Sequence, residues 1–281
     1  MKSSTRTLLR DFLNEHTCTM ISAILPCYNQ GEFVEEAIRC LLAQSLVPDE
    51  IIVVNDGSTD PFTNELLERG RWERTRVLVQ ENAGVSAARN AGIRAAGGDL
   101  ILNLDADDLL APTFLEKAMA LLGSDPGIGA VGSWLQLFGE REGTWEAAGG
   151  SVEDYLAGNR SGPNCLFLRT FWEVAGGYDE SMRTGFEDWE FWISGCSKGW
   201  AVATVPEPLS LYRKKPGVSG VTVAYRHKPE IVRYIVGKHL PLYREHLVRV
   251  LFEKEQLIDR IYHSKIYRAG LGATGLPDPL A

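Results

Sequence analysis

Short continuous apolar runs, each closed by a polar break and followed by apolar positions at helical spacing, recur through the first third of the chain. Ile21 to Leu25 is a β-rich run ended by Pro26, and Gly31 closes the loop after it. Phe33, Val34, Ala37, Ile38, Leu41 and Leu42 then fall on one face and leave Glu35, Glu36 and Arg39 on the other, which predicts an amphipathic helix. Glu50-Ile51-Ile52-Val53-Val54 is a second strand ending in Asn55-Asp56-Gly57-Ser58, with Asp60 and Pro61 placed to start another helix. Arg76 to Gln80 is a third strand, Gly84 to Ala96 an Ala-rich helix stopped by Gly97-Gly98, and Leu100 to Leu104 a fourth strand. Strands that are apolar throughout, alternating with helices, predict a parallel sheet covered on both faces. Toward the C-terminus, Leu247, Val250, Leu251, Leu257, Ile258 and Ile261 mark amphipathic helices between Pro229 and Tyr262. The Gly- and Pro-rich stretch from Gly270 to Ala281 reads as an unstructured tail.

In open sheets of this kind, ligands bind beyond the carboxyl ends of the strands. Polar segments stand at those ends: Pro26-Cys27-Tyr28-Asn29, Asn55-Asp56, Glu81-Asn82-Ala83-Gly84 and Asp105-Ala106-Asp107-Asp108. If the chain stays extended past Leu104, side-chain alternation turns Asp105 and Asp107 to one side and Ala106 away. Two hard oxygen ligands facing one space suit Mg²⁺ or Mn²⁺ better than zinc. The same run also reads as a structural loop capping the helix that begins near Pro112, and from these residues alone both readings stand. An EF-hand loop is excluded, because Leu110 stands where glycine is needed and Leu109 where an oxygen ligand is needed. No Gly-x-Gly-x-x-Gly follows the first strand and no P-loop sequence occurs, which disfavours dinucleotide and P-loop sites.

Composition narrows the class. The chain has 281 residues, enough for a full core, with 44% hydrophobic and 23% charged residues, as in ordinary globular proteins. No apolar stretch approaches bilayer length, and MKSSTRTLLRDFLNEHT lacks the apolar core of a secretory signal, so a cytoplasmic protein is expected. The five cysteines (Cys18, Cys27, Cys40, Cys165, Cys196) are scattered and contain no Cys-x-x-Cys, against a disulfide framework or zinc site. Asn159-Arg160-Ser161 fits a glycosylation sequon, which the absence of a signal makes a chance match. Net charge is -8, yet Leu211 to Gly270 holds 13 Lys and Arg against 5 Asp and Glu. That basic stretch fits solvated helix faces, or a peripheral contact with the inner membrane face or with another subunit. With pI near 5.3 and no recognised motif, nucleic acid is not an expected partner.

Ile24-Leu25-Pro26-Cys27-Tyr28-Asn29, Asp49 through Asp60, Asn82-Ala83-Gly84-Val85-Ser86-Ala87-Ala88-Arg89-Asn90-Ala91-Gly92 and Asp105-Ala106-Asp107 occur in the order seen in family 2 glycosyltransferases. From about Met20 to Ser219 the chain resembles an inverting member of that family. The resemblance implies a GT-A fold: an α/β, Rossmann-like, mostly parallel sheet flanked by helices, with a C-terminal helical extension. The expected division is 1–19 as an N-terminal extension, 20–219 as the GT-A domain and 220–281 as the helical extension. Within the GT-A domain, 20–110 would bind the nucleotide-sugar and 111–219 the acceptor. The implied partners are a nucleotide-sugar donor, most often a UDP-sugar, and a glycan, lipid-linked or other hydroxyl acceptor, with Mg²⁺ or Mn²⁺ as cofactor.

Carried over position by position, the resemblance puts Pro26, Tyr28 and Asn29 beside the nucleotide and makes Asp56 the partner of a uracil N–H. A carboxylate only accepts hydrogen bonds, so it favours a base edge that donates. Arg89 would face the donor phosphates, Asp105 the ribose or metal, and Asp107 the metal bridging the diphosphate. Gly176-Gly177-Tyr178-Asp179-Glu180 followed by Phe186-Glu187-Asp188-Trp189 resembles the acceptor-side acidic motif. It implies Asp188 as general base, Glu187 as a neighbour that positions it or contacts acceptor, and Trp189 as an acceptor-side aromatic or a packing residue. Where many relatives carry a histidine after Ser210-Leu211-Tyr212-Arg213, this chain has Lys214-Lys215, so Lys215 is expected to supply charge to the diphosphate. The Gln-x-x-Arg-Trp motif of processive synthases is absent after Asp188, which favours single transfers. A metal-dependent nucleotidyltransferase and a catalytically silent nucleotide-sugar-binding protein are the alternatives.

Overall fold

The computed structural model describes residues 19–217 and 220–263; the N-terminal extension before Thr19 and the Gly/Pro-rich tail lie outside them. The first apolar run forms β1 (Ile21–Cys27), buried at every position. It pairs in parallel with β2 (Glu50–Asp56) and β4 (Leu100–Asn103), and β2 with β3 (Thr75–Gln80), in the order β3-β2-β1-β4. Between them run α1 (Gly31–Leu42), α2 (Pro61–Arg69) and α3 (Val85–Ala95). α1 buries Val34, Ala37, Ile38 and Leu41, the predicted stripe. α2 begins at Asp60, whose carboxylate accepts from Thr63 N at 2.8 Å, with Pro61 in the first turn. α3 lies flush on the sheet because position 92 is glycine: a Cβ there would stand 2.5 Å from Ile24 Cγ2 and 3.1 Å from Val54 Cγ2. Arg169 closes the end of α3, donating to the carbonyls of Ile93, Ala96 and Gly98.

Beyond β4 the parallel pattern ends. The remaining body comprises β5 (Leu109–Leu110), α4 (Phe114–Leu122), β6 (Ile128–Gly139), β7 (Gly143–Trp145), α5 (Val152–Ala157), β8 (Leu166–Leu168), α6 (Arg169–Ala175), α7 (Glu187–Cys196) and β9 (Ala201–Lys214). The sheet continues β4-β8-β6-β9-β5, with β7 on β6. β8 runs antiparallel to β4 and β6, and β5 to β9, while β6 and β9 are parallel. The sheet is therefore parallel in its first half and mixed in its second. β9 carries Pro206 and Pro208, which cannot donate to a ladder. The register jumps there, from Ser133↔Val205 to Leu135↔Ser210, so the prolines sit in the irregularity and the strand survives them.

The C-terminal helices α8 (Gly220–Arg226), α9 (Lys228–Lys238), α10 (Leu240–Glu245) and α11 (Leu247–His263) fold back on the second half of the main body. Glu190 of α7, fully buried, pairs with His239 Nε2 at 2.8 Å and Lys238 Nζ at 2.9 Å. Lys238 also reaches Asp179 at 2.6 Å, and Arg249 reaches Asp154 at 3.3 Å. Part of the basic excess of this region thus answers acids of the main body rather than solvent.

Candidate active site

The parallel register sets Cys27 beside Asn55, and Asp56 beside Gln80, so the strand ends form one rim. Asp56 is almost fully buried and organises the loop opposite. It accepts from Gln80 Nε2 at 2.7 Å, Ala83 N at 2.9 Å and Gly84 N at 2.8 Å. A carboxylate offers about four lone-pair positions, so one remains for a ligand donor. Gly57 next to it has φ +65°, and a Cβ would fall 2.5 Å from Asn82 N, which is why the turn needs glycine.

Two residues expected at the nucleotide serve the scaffold. Asn29, at φ +54°, accepts from Thr59 N at 2.8 Å and Asp60 N at 2.9 Å, and donates to Thr59 Oγ1 at 3.1 Å. Its amide staples the loop after β1 to the loop after β2. Pro26 is buried within β1 beside Val54, leaving the half-exposed ring of Tyr28 as the face this segment offers at the rim.

β4 ends at Asn103, so Asp105 to Asp108 do not continue a strand; they form a turn closed by Asp108 N donating to Asp105 O at 3.0 Å. The expected alternation of Asp105 and Asp107 therefore does not operate. Instead each carboxyl finds its own partner. Asp105 Oδ1 meets Arg89 Nη2 at 2.7 Å, and Asp107 Oδ2 meets Lys215 Nζ at 2.6 Å. Lys215 also donates to Gln30 Oε1 at 3.1 Å. Asp108 is buried and accepts from Asn164 Nδ2 at 2.8 Å and Arg213 N at 2.9 Å. Burial, with repulsion from Asp105 and Asp107, pushes its carboxyl well above the usual range, while the two N–H donors oppose that shift. Asn164 Oδ1 accepts from Asp105 N at 3.0 Å, and Arg213 Nε donates to Asp107 O at 2.8 Å. Asn164 and Arg213, which fix this turn, carry no signal in the sequence beyond being polar among apolar neighbours.

Among the described residues, Asp105 Oδ2 and Asp107 Oδ1 carry no hydrogen bond or ion pair. Two carboxylate oxygens on one turn fit Mg²⁺ or Mn²⁺, ions that take one or two carboxylates and complete their shell with phosphate and water. A cage made wholly of protein ligands is a different matter. Among the described residues no group of three or more His, Cys, Asp or Glu is arranged to hold an ion.

Asp188 stands in the first turn of α7, about nine-tenths buried. Oδ2 accepts from Asn159 Nδ2 at 3.0 Å and Oδ1 from Trp189 N at 2.8 Å. Burial, then the adjacent Glu187, pushes its carboxyl up to about 7, opposed by Asn159, Arg89 and Trp189 N. Asn159 belongs to the triplet that reads as a chance sequon, so the hydrogen-bond partner of Asp188 was in view without a signal of that contact. Trp189 does not line a surface: its ring is buried and Nε1 donates to Tyr155 O at 2.7 Å. α7 is aimed by a strained residue, Phe186 at φ +60°, whose ring packs edge-on against Trp189 and against Tyr225 of α8. The C-terminal helices thus buttress the helix that carries Asp188.

Arg89 is expected to face the donor phosphates. It is only 1% exposed, and its two terminal nitrogens are taken by Asp105 at 2.7 Å and Glu187 at 2.6 Å. It forms a buried bridge here, with Nε left without a hydrogen-bond partner among the described residues. Glu187 is buried, and its Oε1 is held by Arg89.

A family model described as "Glycosyl transferase family 2" matches residues 22–173. A glycosyltransferase of Haemophilus influenzae is 32% identical over 127 residues, covering 44% of this chain and 39% of that protein. EpsJ, a glycosyltransferase of Bacillus subtilis, is 43% identical over 100 residues, or 35% of this chain and 29% of its own length. The matched segment is thus well under half of either relative. Among solved structures, S. aureus TarS 1-349 in complex with UDP-GlcNAc superposes with a TM-score of 0.61 at 18% identity, covering 72% of this chain and 61% of that one. At that identity the likeness establishes a shared fold, the mixed sheet with flanking helices.

Proposed function

Because the chain belongs to glycosyl transferase family 2, we propose that it moves a sugar from a nucleotide-diphosphate donor, a UDP-sugar, to an acceptor hydroxyl, with inversion and one sugar per acceptor. The supporting observation is a continuous line of contacts, Asp105–Arg89–Glu187, that runs from the carboxylate turn at the strand rim to the residue preceding Asp188. A carboxyl raised to about 7, held by Asn159 and a backbone N–H, suits a group that must take a proton near neutral pH.

In this proposal residues 20–110 seat the donor, 111–219 the acceptor, and the helices from Gly220 to His263 support the acceptor half. Tyr28 lies along the base and the free lone pair of Asp56 accepts from a uracil N–H. Asp188 removes the acceptor's hydroxyl proton as that oxygen bonds to the anomeric carbon. The bond from the anomeric carbon to the diphosphate oxygen breaks on the opposite side, and its electron pair leaves with the diphosphate. Lys215 lies within reach of Asp107 and carries positive charge toward that leaving group. Asp107, with Asp105, would hold Mg²⁺ or Mn²⁺, which when bound supplies fixed positive charge to the diphosphate.

A cytoplasmic setting is proposed as well, supported by the free thiols of Cys27, Cys40, Cys165 and Cys196 among the described residues. Among these residues no helix is long and apolar enough to cross a membrane. Exposed Leu247, Val248, Leu251 and Phe252 on α11 support a peripheral contact with a membrane or another subunit. The experiment is a thermal-shift screen of UDP-sugars with and without Mn²⁺, followed by UDP release with the stabilising sugar. Stabilisation and UDP release lost in Asp188→Asn are expected. Release of pyrophosphate from a nucleoside triphosphate, or binding of every donor without turnover, would replace this function with another.

A further inference from the structure

Arg89 sits on the buried face of α3, a helix fixed against β1 and β2 by the close approach at Gly92. Its guanidinium reaches Asp105, sixteen residues away, and Glu187, ninety-eight residues away. It also lies over the ring of Tyr178 at 5.2 Å, and that phenol accepts from Asn103 Nδ2 at 2.5 Å at the end of β4. The neighbouring Asn90 grips the same stretch: Nδ2 donates to Tyr178 O at 2.8 Å, while Oδ1 accepts from Tyr178 N and from Trp172 Nε1, both at 2.9 Å. Among the described residues no other cation pairs with Asp105 or Glu187. Two consecutive side chains of one helix therefore hold the segment that leads into α7, and only one of them touches the donor-side turn.

We propose that Arg89 is a positioning residue that fixes Asp188 relative to the donor-side turn, by gripping Asp105 and Glu187 at once. This rests on Asp188 being the base. A planar guanidinium can satisfy two carboxylates along two directions, whereas a lysine ammonium on a flexible stem grips as a point charge. The clamp also acts on the proton. Glu187 and Arg89 bear on Asp188 with opposite sign, the first favouring its protonated form and the second its ionised form. The other groups that face it are Tyr155 from α5, Cys165 just before β8, Tyr178, and Tyr212 from β9, and burial keeps every one of these protonated.

The test follows the Asp188 carboxyl by carbon NMR from pH 5 to 9 in the full chain labelled at aspartate, with Asp188→Asn identifying the signal. Opposite displacements are expected: the midpoint falls in Glu187→Gln and rises in Arg89→Gln, each by about half a pH unit or more. UDP release on the same proteins should show kcat lowered about 10–100-fold in Arg89→Lys with donor KM within about threefold, the pattern of a misplaced base. Should Arg89→Gln fail to fold, Glu187→Gln and Arg89→Lys still decide the matter. Variants that lose thermal stability while the midpoint stays put, or midpoints that move the same way, would overturn the proposal. If the midpoints move as expected but the wild-type protein releases no UDP from any UDP-sugar, the transferase function fails and the Arg89 clamp stands.

Discussion

Replacing Asp188 by asparagine should abolish transfer and yet stabilise the protein, increasingly so as the pH rises. The carboxyl is buried and its folded-state pKa, about 7, lies above an unfolded value near 4. A raised carboxyl binds more protons folded than unfolded, so the wild-type protein loses stability as pH climbs through that window. Between pH 5 and about 7 the loss is ~1.4 kcal/mol per pH unit, or about 3 kcal/mol in sum. The amide that replaces the carboxyl does not titrate; it keeps an oxygen for Asn159 Nδ2, the donor 3.0 Å away in the wild-type chain, and turns its NH2 toward Trp189 N, a cost that does not vary with pH. The advantage of the variant over wild type should therefore grow by about 3 kcal/mol from pH 5 to pH 8, which for a chain of this size is roughly 5–10 °C in Tm. Paired thermal melts at the two pH values measure that growth, and UDP release measures the lost chemistry. A Tm difference that stays flat across this range would refute the buried, proton-holding carboxyl, whatever happens to activity.

Asp56→Ala removes the acceptor of three hydrogen bonds and strands the N–H groups of Ala83 and Gly84. Urea denaturation should show a loss of about 2–4 kcal/mol, with donor KM raised as the rim loop loosens. Lys215→Met takes away the ammonium that competes at Asp107. Mn²⁺ titration of UDP release should then half-saturate at lower Mn²⁺, with kcat reduced about tenfold because the leaving group loses a cation; unchanged values for both would separate Lys215 from the diphosphate. Gly92→Ala forces a methyl to within 2.5 Å of Ile24 Cγ2. It should cost about 1–3 kcal/mol in the same denaturation assay, with donor KM unaffected.

The parallel half of the sheet was legible in the sequence because its information is local. Continuous apolar strands, the Asp60-Pro61 helix start and the stripe on α1 each sit within a few residues, and the structure repeats them almost boundary for boundary. Polar residues at strand ends were legible as a rim for the same reason. Roles were less legible than places. Asn29 and Arg89 sit where the motifs put them, but their hydrogen bonds go to Thr59, Asp60, Asp105 and Glu187, partners the sequence does not announce. Asp105 and Asp107 were misoriented because β4 stops at Asn103, and no residue between Leu104 and Asp108 is a glycine or proline that would flag the turn. The mixed half of the sheet was hidden further by Pro206 and Pro208, which argue against a strand until the register jump accommodates them. Asn159 and Asn164 were invisible because their value lies in contacts with Asp188, Asp105 and Asp108, twenty-nine to fifty-nine residues away.

Those long-range contacts also explain which carboxyl is free to do chemistry. Asp105, Asp107, Asp108, Glu187 and Asp188 crowd the space between the strand rim and α7, where unopposed negative charges would repel one another. Arg89 answers Asp105 and Glu187, and Lys215 answers Asp107. Asp108 is answered by no cation side chain among the described residues; its carboxyl is pushed upward by burial and sealed at 1% exposure against Asn164 and Arg213 N. Asp188 has no cation in direct contact among the described residues either, but it is less completely enclosed and its partners are an amide and a backbone N–H. Neutral donors support either protonation state, since an amide N–H can hydrogen-bond a carboxylate or the carbonyl oxygen of the acid. The remaining charge nearest to it, Glu187, is held by Arg89 and so acts as a fixed bias on its proton. Of the five carboxyls, Asp188 is the one that combines neutral hydrogen-bond partners with less than complete enclosure, which fits the proposed removal of a hydroxyl proton.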